Sequence, residues 1–330
     1  MNLVNTGDFL ELLTKLKQRG IKYFFSKITF NSNKRTQSTF KILKYEGSNW
    51  WIIPEVKQRE NKKIAGDTQK TFDKYLLENY FTERKNLKLL SVGCGLGNRE
   101  IRFAETNFFA EIIGIDLSAD LIENANKKVR EKSLQNIRFE QADFYNYQLK
   151  KNYFDVILFH SSLHHFKQID KIATRVKDAL KDNGILVLNE YVGKNRLQFS
   201  KDQLLEMNNL LEMIPKQYKK RYLTRITKKR IYVPGLIRMI MSDPSEAVES
   251  ETIKPIIHKY FSVIEEKKIG GDLLMMVLKD IAHNFISSND EISQTVLHKL
   301  FEAEDQYLQN TKNADFIFGI YKQKSKSEDL

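Results

Sequence analysis

Three glycines at alternate positions, Gly93, Gly95 and Gly97, lie in the run Leu89-Leu90-Ser91-Val92-Gly93-Cys94-Gly95-Leu96-Gly97-Asn98. Spaced in this way they let a backbone bend sharply and lie close to a ligand. An acid, Asp116, ends the next apolar run, Ile112-Ile113-Gly114-Ile115-Asp116. An ionised carboxylate there can accept strong hydrogen bonds from both hydroxyls of a ribose. Strand, glycine turn, helix, strand and acid together form a unit that takes an adenosine-bearing cofactor. A dinucleotide fingerprint counted from Gly93 needs glycine at position 98, which is Asn98, so the spacing disfavours a nicotinamide oxidoreductase. Further along, the pair His164-His165 and the acid Glu190 are candidates for a proton-accepting base. Imidazole titrates near neutrality, and Glu190 stands at the carboxyl end of an apolar run, where open α/β sheets hold their ligands. The histidines could equally cap or pack a helix, and Glu190 could equally pair with a Lys or Arg. Cys94, the chain's one cysteine, reads as a small residue in a tight bend rather than a reactive thiol. No His, Asp and Glu cluster has metal-ligand spacing, so no metal is expected.

The elements that must hold these residues alternate regularly. Leu87–Val92, Glu111–Ile115, Ile137–Glu140, Tyr153–Phe159 and Ile185–Leu188 read as strands. Between them, Asn98–Thr106 reads as a helix. A second helix starts after an N-cap at Ser118, with Leu121, Ile122, Ala125 and Val129 on one face. A third has the face Ile169, Ile172, Val176, Ala179 and Leu180, and Asn183-Gly184 should stop it. Tyr260–Lys267 and Asp315–Lys322 read as two more strands, and Asp272–Phe285 and Asp290–Leu308 as helices. The fold expected is α/β: a doubly wound, mostly parallel, seven-stranded Rossmann-like sheet, with an N-terminal helical extension and a helical insertion after strand five. Residues 1–85 form the extension packing on the core, with helical stripes Phe9, Leu12, Leu13, Leu16 and Phe72, Tyr75, Leu76, Tyr80. Residues 86–193 form the cofactor-binding half, 194–259 an insertion or lid over the acceptor site, and 260–330 the remaining strands and covering helices.

At 330 residues and 41% hydrophobic residues, the chain can bury a sizeable core. No apolar run reaches the roughly 18 residues of a membrane span, and the N-terminus lacks a leader pattern. With a single cysteine this suggests the cytoplasm. The net charge is +12. An overall richness in Lys, Asn and Ile accounts for much of it. One local cluster stands out: Lys216 to Ile240 carries nine Lys and Arg residues and no acid. It suits a phosphorylated or nucleotide-linked sugar, or an anionic lipid surface, as well as a plain solvated face.

Val92-Gly93-Cys94-Gly95-Leu96-Gly97, Gly114-Ile115-Asp116-Leu117-Ser118, Gln141-Ala142-Asp143 and Phe154-Asp155-Val156-Ile157 follow one another in order. Over Leu87 to Lys322 the chain thereby resembles the class I S-adenosylmethionine-dependent methyltransferases. The resemblance implies that S-adenosylmethionine is the cofactor. Gly93, Cys94, Gly95 and Gly97 would lie along its methionine and ribose portions, and Asp116 would take the ribose hydroxyls. Asp143 would contact the adenine amino group, Leu117 or Phe144 would flank the ring, and His160 would stand where strand four approaches the cofactor. Leu163-His164-His165-Phe166 looks like the helix entry of small-molecule members. Asn189-Glu190-Tyr191-Val192-Gly193, Asp243-Pro244-Ser245-Glu246-Ala247-Val248 and Arg59 to Asp67 resemble a bacterial subgroup associated with sugar and glycan pathways, although Ala65 stands where that subgroup usually has Thr. The expected reaction is in-line methyl transfer to a small-molecule or glycan acceptor, foremost O-methylation, with Glu190, His165 or His164 as base and Tyr191 shaping the acceptor pocket. An RNA or other nucleic-acid methyltransferase is the alternative enzyme. Against it, His160-Ser161-Ser162-Leu163 holds no proline and no cysteine. A non-catalytic protein that binds the cofactor or a partner is the third reading. The oligomeric state is left open.

Overall fold

Apolar runs bounded by turn residues become strands buried on both faces when helices cover each side. In the computed structural model, which describes residues 3–19, 47–288 and 290–324, they form one seven-stranded sheet. Its strands are β1 (Leu87–Val92), β2 (Phe109–Asp116), β3 (Ile137–Gln141), β4 (Phe154–His160), β5 (Leu180–Tyr191), β6 (Phe261–Lys268) and β7 (Phe316–Gln323), in the order β3-β2-β1-β4-β5-β7-β6. β1 pairs in parallel with β2 and β4, β2 with β3, and β4 with β5. The expected doubly wound, mostly parallel fold is borne out.

Register decides what the sheet presents. Val92 stands opposite Ile115 on one side and Phe159 on the other, and Phe159 stands opposite Leu188. The carboxyl ends of β1, β2, β4 and β5 are therefore level. The glycine turn, Asp116, His160 and Glu190 all emerge along one edge, where the strand order reverses between β1 and β4. That reversal is where open α/β sheets form a ligand crevice.

Two compact units make up the chain. The first holds the sheet and comprises Lys63–Val192, Ala247–Lys267 and the chain from Ile317 on. Its core joins Ile157, Leu186 and Leu188 to Ile172, Ala173 and Val176 of the helix Ile169–Ala179 and to Ile253 and Ile257 of the helix Ser250–Tyr260. Each fully buried Ile or Leu here contributes about 1.5–3 kcal/mol. The helix Ile169–Ala179 ends earlier than Asn183-Gly184 suggests. Leu180 N–H closes its last turn on Val176 O, and Leu180 already pairs with Phe154 of β4. Residues 181–184 then loop out before Ile185 pairs with Val156. Gly184 serves that loop, because a Cβ on it would come within 2.9 Å of Lys181 O and 3.0 Å of Phe154 O.

The second unit comprises the chain to Lys62, Gly193–Glu246 and Lys268–Phe316. Its order depends on buried charge. Glu304, on the helix Glu291–Asn310, is 0% exposed. Its Oε1 accepts from the N–H groups of Gly271, Leu273 and Leu274 at the start of the helix Leu274–Leu278, and its Oε2 accepts from Arg59 at 2.7 Å. Glu304→Ala leaves the three amides without their acceptor and the guanidinium with Asp305 as its remaining carboxylate partner. We expect a loss of about 3–5 kcal/mol, read as a lowered midpoint of chemical denaturation. A midpoint within error of wild type would show that these partners find water instead.

Asp272–Phe285, one helix by its sequence pattern, is two: Leu274–Leu278 and His283–Ser288. Lys228 supplies the reason. Its buried Nζ donates to the carbonyls of Met276, Val277 and Lys279 at 2.5, 3.0 and 2.8 Å, acceptors that a continuing helix would use itself. Asp280 then turns the chain with φ +66°. Burial pulls the Lys228 pKa down to about 7.

Other members of the basic run are likewise turned inward. Arg221 pairs with Asp280 at 2.6 Å and Arg238 with Asp8 at 2.7 Å, while Lys216, Lys220, Arg225, Lys229 and Arg230 are exposed. The helix Thr6–Arg19 is inverted relative to expectation. It buries Asp8, Glu11 and Thr14 and leaves Phe9, Leu12 and Leu13 exposed by 63, 41 and 51%. The inward cations explain the inversion. Asp8 accepts from Gly235 N–H and Arg238, and Glu11 accepts from Lys279 at 2.8 Å. Burial pushes the Glu11 carboxyl up, but Lys279, Lys15 and Arg238 outweigh it and hold that carboxyl well below the usual range.

Candidate functional site

The glycine turn is tied to β2 by its own backbone. Gly93 N–H and Cys94 N–H both donate to Ile115 O, at 2.8 and 3.1 Å. Gly95 has φ +57°, and a Cβ on it would meet nothing within 4 Å, so this part of the turn faces open space. Gly97 also has positive φ, and there a Cβ would strike the Phe139 ring at 2.2 Å. Asp116 faces the turn. Its Oδ2 accepts from Gly95 N–H at 3.0 Å and its Oδ1 from Ser118 N–H at 2.9 Å. A carboxylate oxygen accepts more than one hydrogen bond, so both oxygens retain capacity for a diol. An open glycine cradle beside a fixed carboxylate fits the ribose and methionine portions of the expected cofactor. Ser118 caps the helix Ala119–Glu131 by its backbone position alone, with no side-chain bond.

Beneath the turn, Glu100 is 1% exposed and its Oε1 accepts from Ser91 Oγ at 2.7 Å. Burial, Glu100 and Asp116 push the Cys94 thiol well up, which keeps it protonated and unreactive. Asp143 lies just past β3, one residue after Ala142, whose N–H donates to Asp116 O at 2.9 Å. Its carboxylate accepts from Tyr145 N–H and Asn146 Nδ2. Leu117 is half-buried beside Asp116. The Phe144 ring packs into the core. It is 2% exposed, edge-on to Phe159 and Phe166, with the Arg175 guanidinium 5.4 Å from its centroid.

His160 ends β4 stacked 5.4 Å from Phe72, and its Nε2 lies 2.8 Å from Arg99 Nη2. A guanidinium only donates, so Nε2 accepts and the proton sits on Nδ1. Burial and then Arg99 hold the His160 pKa well below its ordinary 6.5. The sign follows from linkage: the unfolded chain takes up this proton first as pH falls. Stability supplied by neutral His160 is present above about pH 6.5 and is lost as pH drops toward the folded-state value. In melting curves across pH, His160→Gln should flatten this acid limb while keeping an acceptor for Arg99. An unchanged limb would assign it to other groups.

The most constrained group is Glu190, 1% exposed at the end of β5. Its Oε1 accepts from the N–H groups of Ser162 and, at 2.6 Å, Leu163; its Oε2 accepts from Tyr191 N–H at 3.1 Å and His164 Nδ1 at 2.7 Å. All four donors converge on one carboxylate, which fixes the short turn Leu163–His165. Ser162 ties the same turn to the glycine loop, with its Oγ donating to Val92 O at 2.6 Å. His165 is half-buried, its ring centroid 4.3 Å from that of His164.

The structure thus brings Gly93, Cys94, Gly95, Gly97, Asp116, Leu117, Asp143, His160, His164, His165 and Glu190 to one edge of the sheet, and puts the Phe144 ring in the core. Sequence reasoning missed Arg99, Ser162 and Glu100. For Glu100 a signal existed, since it is an acid among buried Ile101, Phe103 and Ala104 on the short helix Asn98–Ala104. Arg99 gave none, because its partners Phe72 and His160 come from distant segments.

A family model described as "Methyltransferase domain" matches residues 83–258, just over half of the chain. The uncharacterized methyltransferase YcgJ of Bacillus subtilis is 28% identical over 33% of this chain and 42% of its own length. Phosphoethanolamine N-methyltransferase 2 of Caenorhabditis elegans is 26% identical over 31% of this chain and 23% of its own. The chain spans less than half the length of these curated relatives. Among solved structures, phosphoethanolamine N-methyltransferase 2 of Haemonchus contortus in complex with S-adenosyl-L-methionine is similar at 17% identity and a TM-score of 0.49, over 77% of this chain and 52% of that one.

Proposed function

The chain belongs to the class I S-adenosylmethionine-dependent methyltransferases, with S-adenosylmethionine as its cofactor, and on that premise we propose that it methylates the oxygen of a small-molecule or glycan acceptor. The observation that supports this is the pairing of Glu190 with His164 Nδ1 on a turn fastened to the glycine loop through Ser162. When bound, the cofactor supplies an electrophilic methyl group on a sulfonium sulfur. Asp116 would hold the ribose hydroxyls, the Gly93–Gly97 backbone would give room for the remainder, and Asp143 and Leu117 would take the adenine. His164 is the base in this reading. Its Nδ1–H donates to a carboxylate, which makes Nε2 the basic nitrogen of the ring and the atom that would take the acceptor hydroxyl's proton. Glu190 orients His164 and steadies the imidazolium; with four donors of its own it is a positioning residue. His165 and Tyr191 border the same turn and help to exclude water.

N-methylation of a phosphorylated amine is the second reading, favoured by the likeness to phosphoethanolamine N-methyltransferases. Incubating the protein with methyl-labelled S-adenosylmethionine and separate panels of phosphorylated amines, nucleotide sugars and glycans tests both. Label in a sugar hydroxyl supports O-methylation, and label only in an amine replaces it. Failure to bind S-adenosylhomocysteine overturns the whole reading.

A further inference from the structure

We propose that this chain docks on anionic lipid bilayers through an outward apolar surface built on the helices Thr6–Arg19 and Leu236–Ser242. This inference does not depend on the methyl acceptor. Amphipathic helices of folded proteins bury the apolar stripe. Here Thr6–Arg19 does the reverse, with Asp8, Glu11 and Thr14 inward and Phe9, Leu12 and Leu13 outward. The outward residues are spaced i, i+3, i+4 and form one face. On Leu236–Ser242 the residues Ile237, Ile240 and Met241, at the same spacing, are 46, 39 and 56% exposed.

The two helices adjoin within one unit. Ile237 N–H donates to Leu3 O at 3.2 Å, and Asp8 accepts from Gly235 N–H and Arg238. Leu3 and Val4, 61 and 52% exposed, extend the apolar surface at that end. At the other end Gln18 Nε2 donates to Tyr222 O, which brings the neighbouring Leu223, 58% exposed, and the exposed Arg225 beside the end of the first helix. Arg230 lies over Tyr232, which packs against Gly7.

Charge selects the occupant. In residues 3–18 and 216–242 the acids are Asp8 and Glu11, and both are buried and paired with cations. The exposed charges there, Lys17, Lys216, Lys220, Arg225, Lys229 and Arg230, are all positive. Lys17, Arg225 and Arg230, set beside the projecting aliphatic and aromatic side chains, complement the phosphate headgroups of an anionic leaflet as those side chains complement its acyl boundary. The side chains stand out on helix faces as ridges, which a fluid bilayer accommodates without a preformed groove. Among the described residues no helix is long and apolar enough to cross a membrane, so this contact would be peripheral.

The test is co-sedimentation of the full chain with phosphatidylcholine vesicles, with and without phosphatidylglycerol, at low and high salt. We expect partitioning at least about tenfold stronger onto the anionic vesicles, weakened by salt. Phe9→Glu with Leu13→Glu should lower it by a further factor of about ten or more at an unchanged melting temperature, because both positions are already exposed. Lys17→Glu with Arg230→Glu, which leaves the apolar face intact, should remove the preference for anionic lipid and its salt dependence. Absent binding, equal binding to neutral vesicles, or wild-type binding by either double variant overturns the proposal. So does a sedimentation-velocity result in which the Phe9/Leu13 variant merely splits a dimer, since a second copy would then be the occupant.

Discussion

Asp116→Ala should lower affinity for S-adenosylhomocysteine by at least about 100-fold in titration calorimetry, in a protein whose circular dichroism remains native. Two charge-assisted hydrogen bonds to the ribose hydroxyls contribute about 1.5–3 kcal/mol each, and about 1.4 kcal/mol is a factor of ten. The carboxylate also anchors Gly95 N–H and Ser118 N–H, so its loss frees the loop that should cradle the ligand. Asp116→Asn separates the two effects. It keeps one acceptor and the side-chain shape, and its affinity should lie between those of Asp116→Ala and wild type. Unchanged affinity in folded Asp116→Ala would remove this carboxylate from the cofactor site.

That prediction rests on the part of the molecule most legible in the sequence. The glycine turn, Asp116 and the strand that ends in it are close in the chain, and their spacing carries the chemistry locally. The strands of the sheet are similarly legible, because burial on both faces demands near-continuous apolar runs such as Val156-Ile157-Leu158-Phe159. Features set by distant partners were not legible. The stripe Phe9, Leu12, Leu13 and Leu16 has the period of a buried helix face. Nothing in those 14 residues announces that Arg238 and Lys279, more than 200 positions away, will draw Asp8 and Glu11 inward instead. The break in Asp272–Phe285 has the same character, since the agent is Lys228 from another segment. Periodicity reports which side of a helix is apolar, and long-range ion pairing decides which side is buried.

Glu190 shows the same limit inside the site and leads to the second large effect. An acid at a strand end reads equally as a base or as an ion-pair partner, because its four donors are invisible locally: three lie 26 to 28 residues upstream. Once they are known, its role changes from titrating to orienting. His164→Ala should lower kcat by about 10²–10⁴-fold, the usual span for a lost general base, with S-adenosylhomocysteine affinity near wild type. Glu190→Gln should reach a comparable loss by another route. The amide oxygen can still accept from Ser162 and Leu163, but the NH₂ group would face His164 Nδ1 and force it to accept, which moves the ring proton to Nε2 and occupies the lone pair the reaction needs. A purely structural Glu190 would yield a lower melting temperature with an unaltered pH profile. An orienting one yields a kcat loss with little change in KM, and a pH–rate curve whose rising limb disappears along with the base. Full turnover by Glu190→Gln with the natural acceptor would take both residues out of the proton transfer and leave the turn as scaffold.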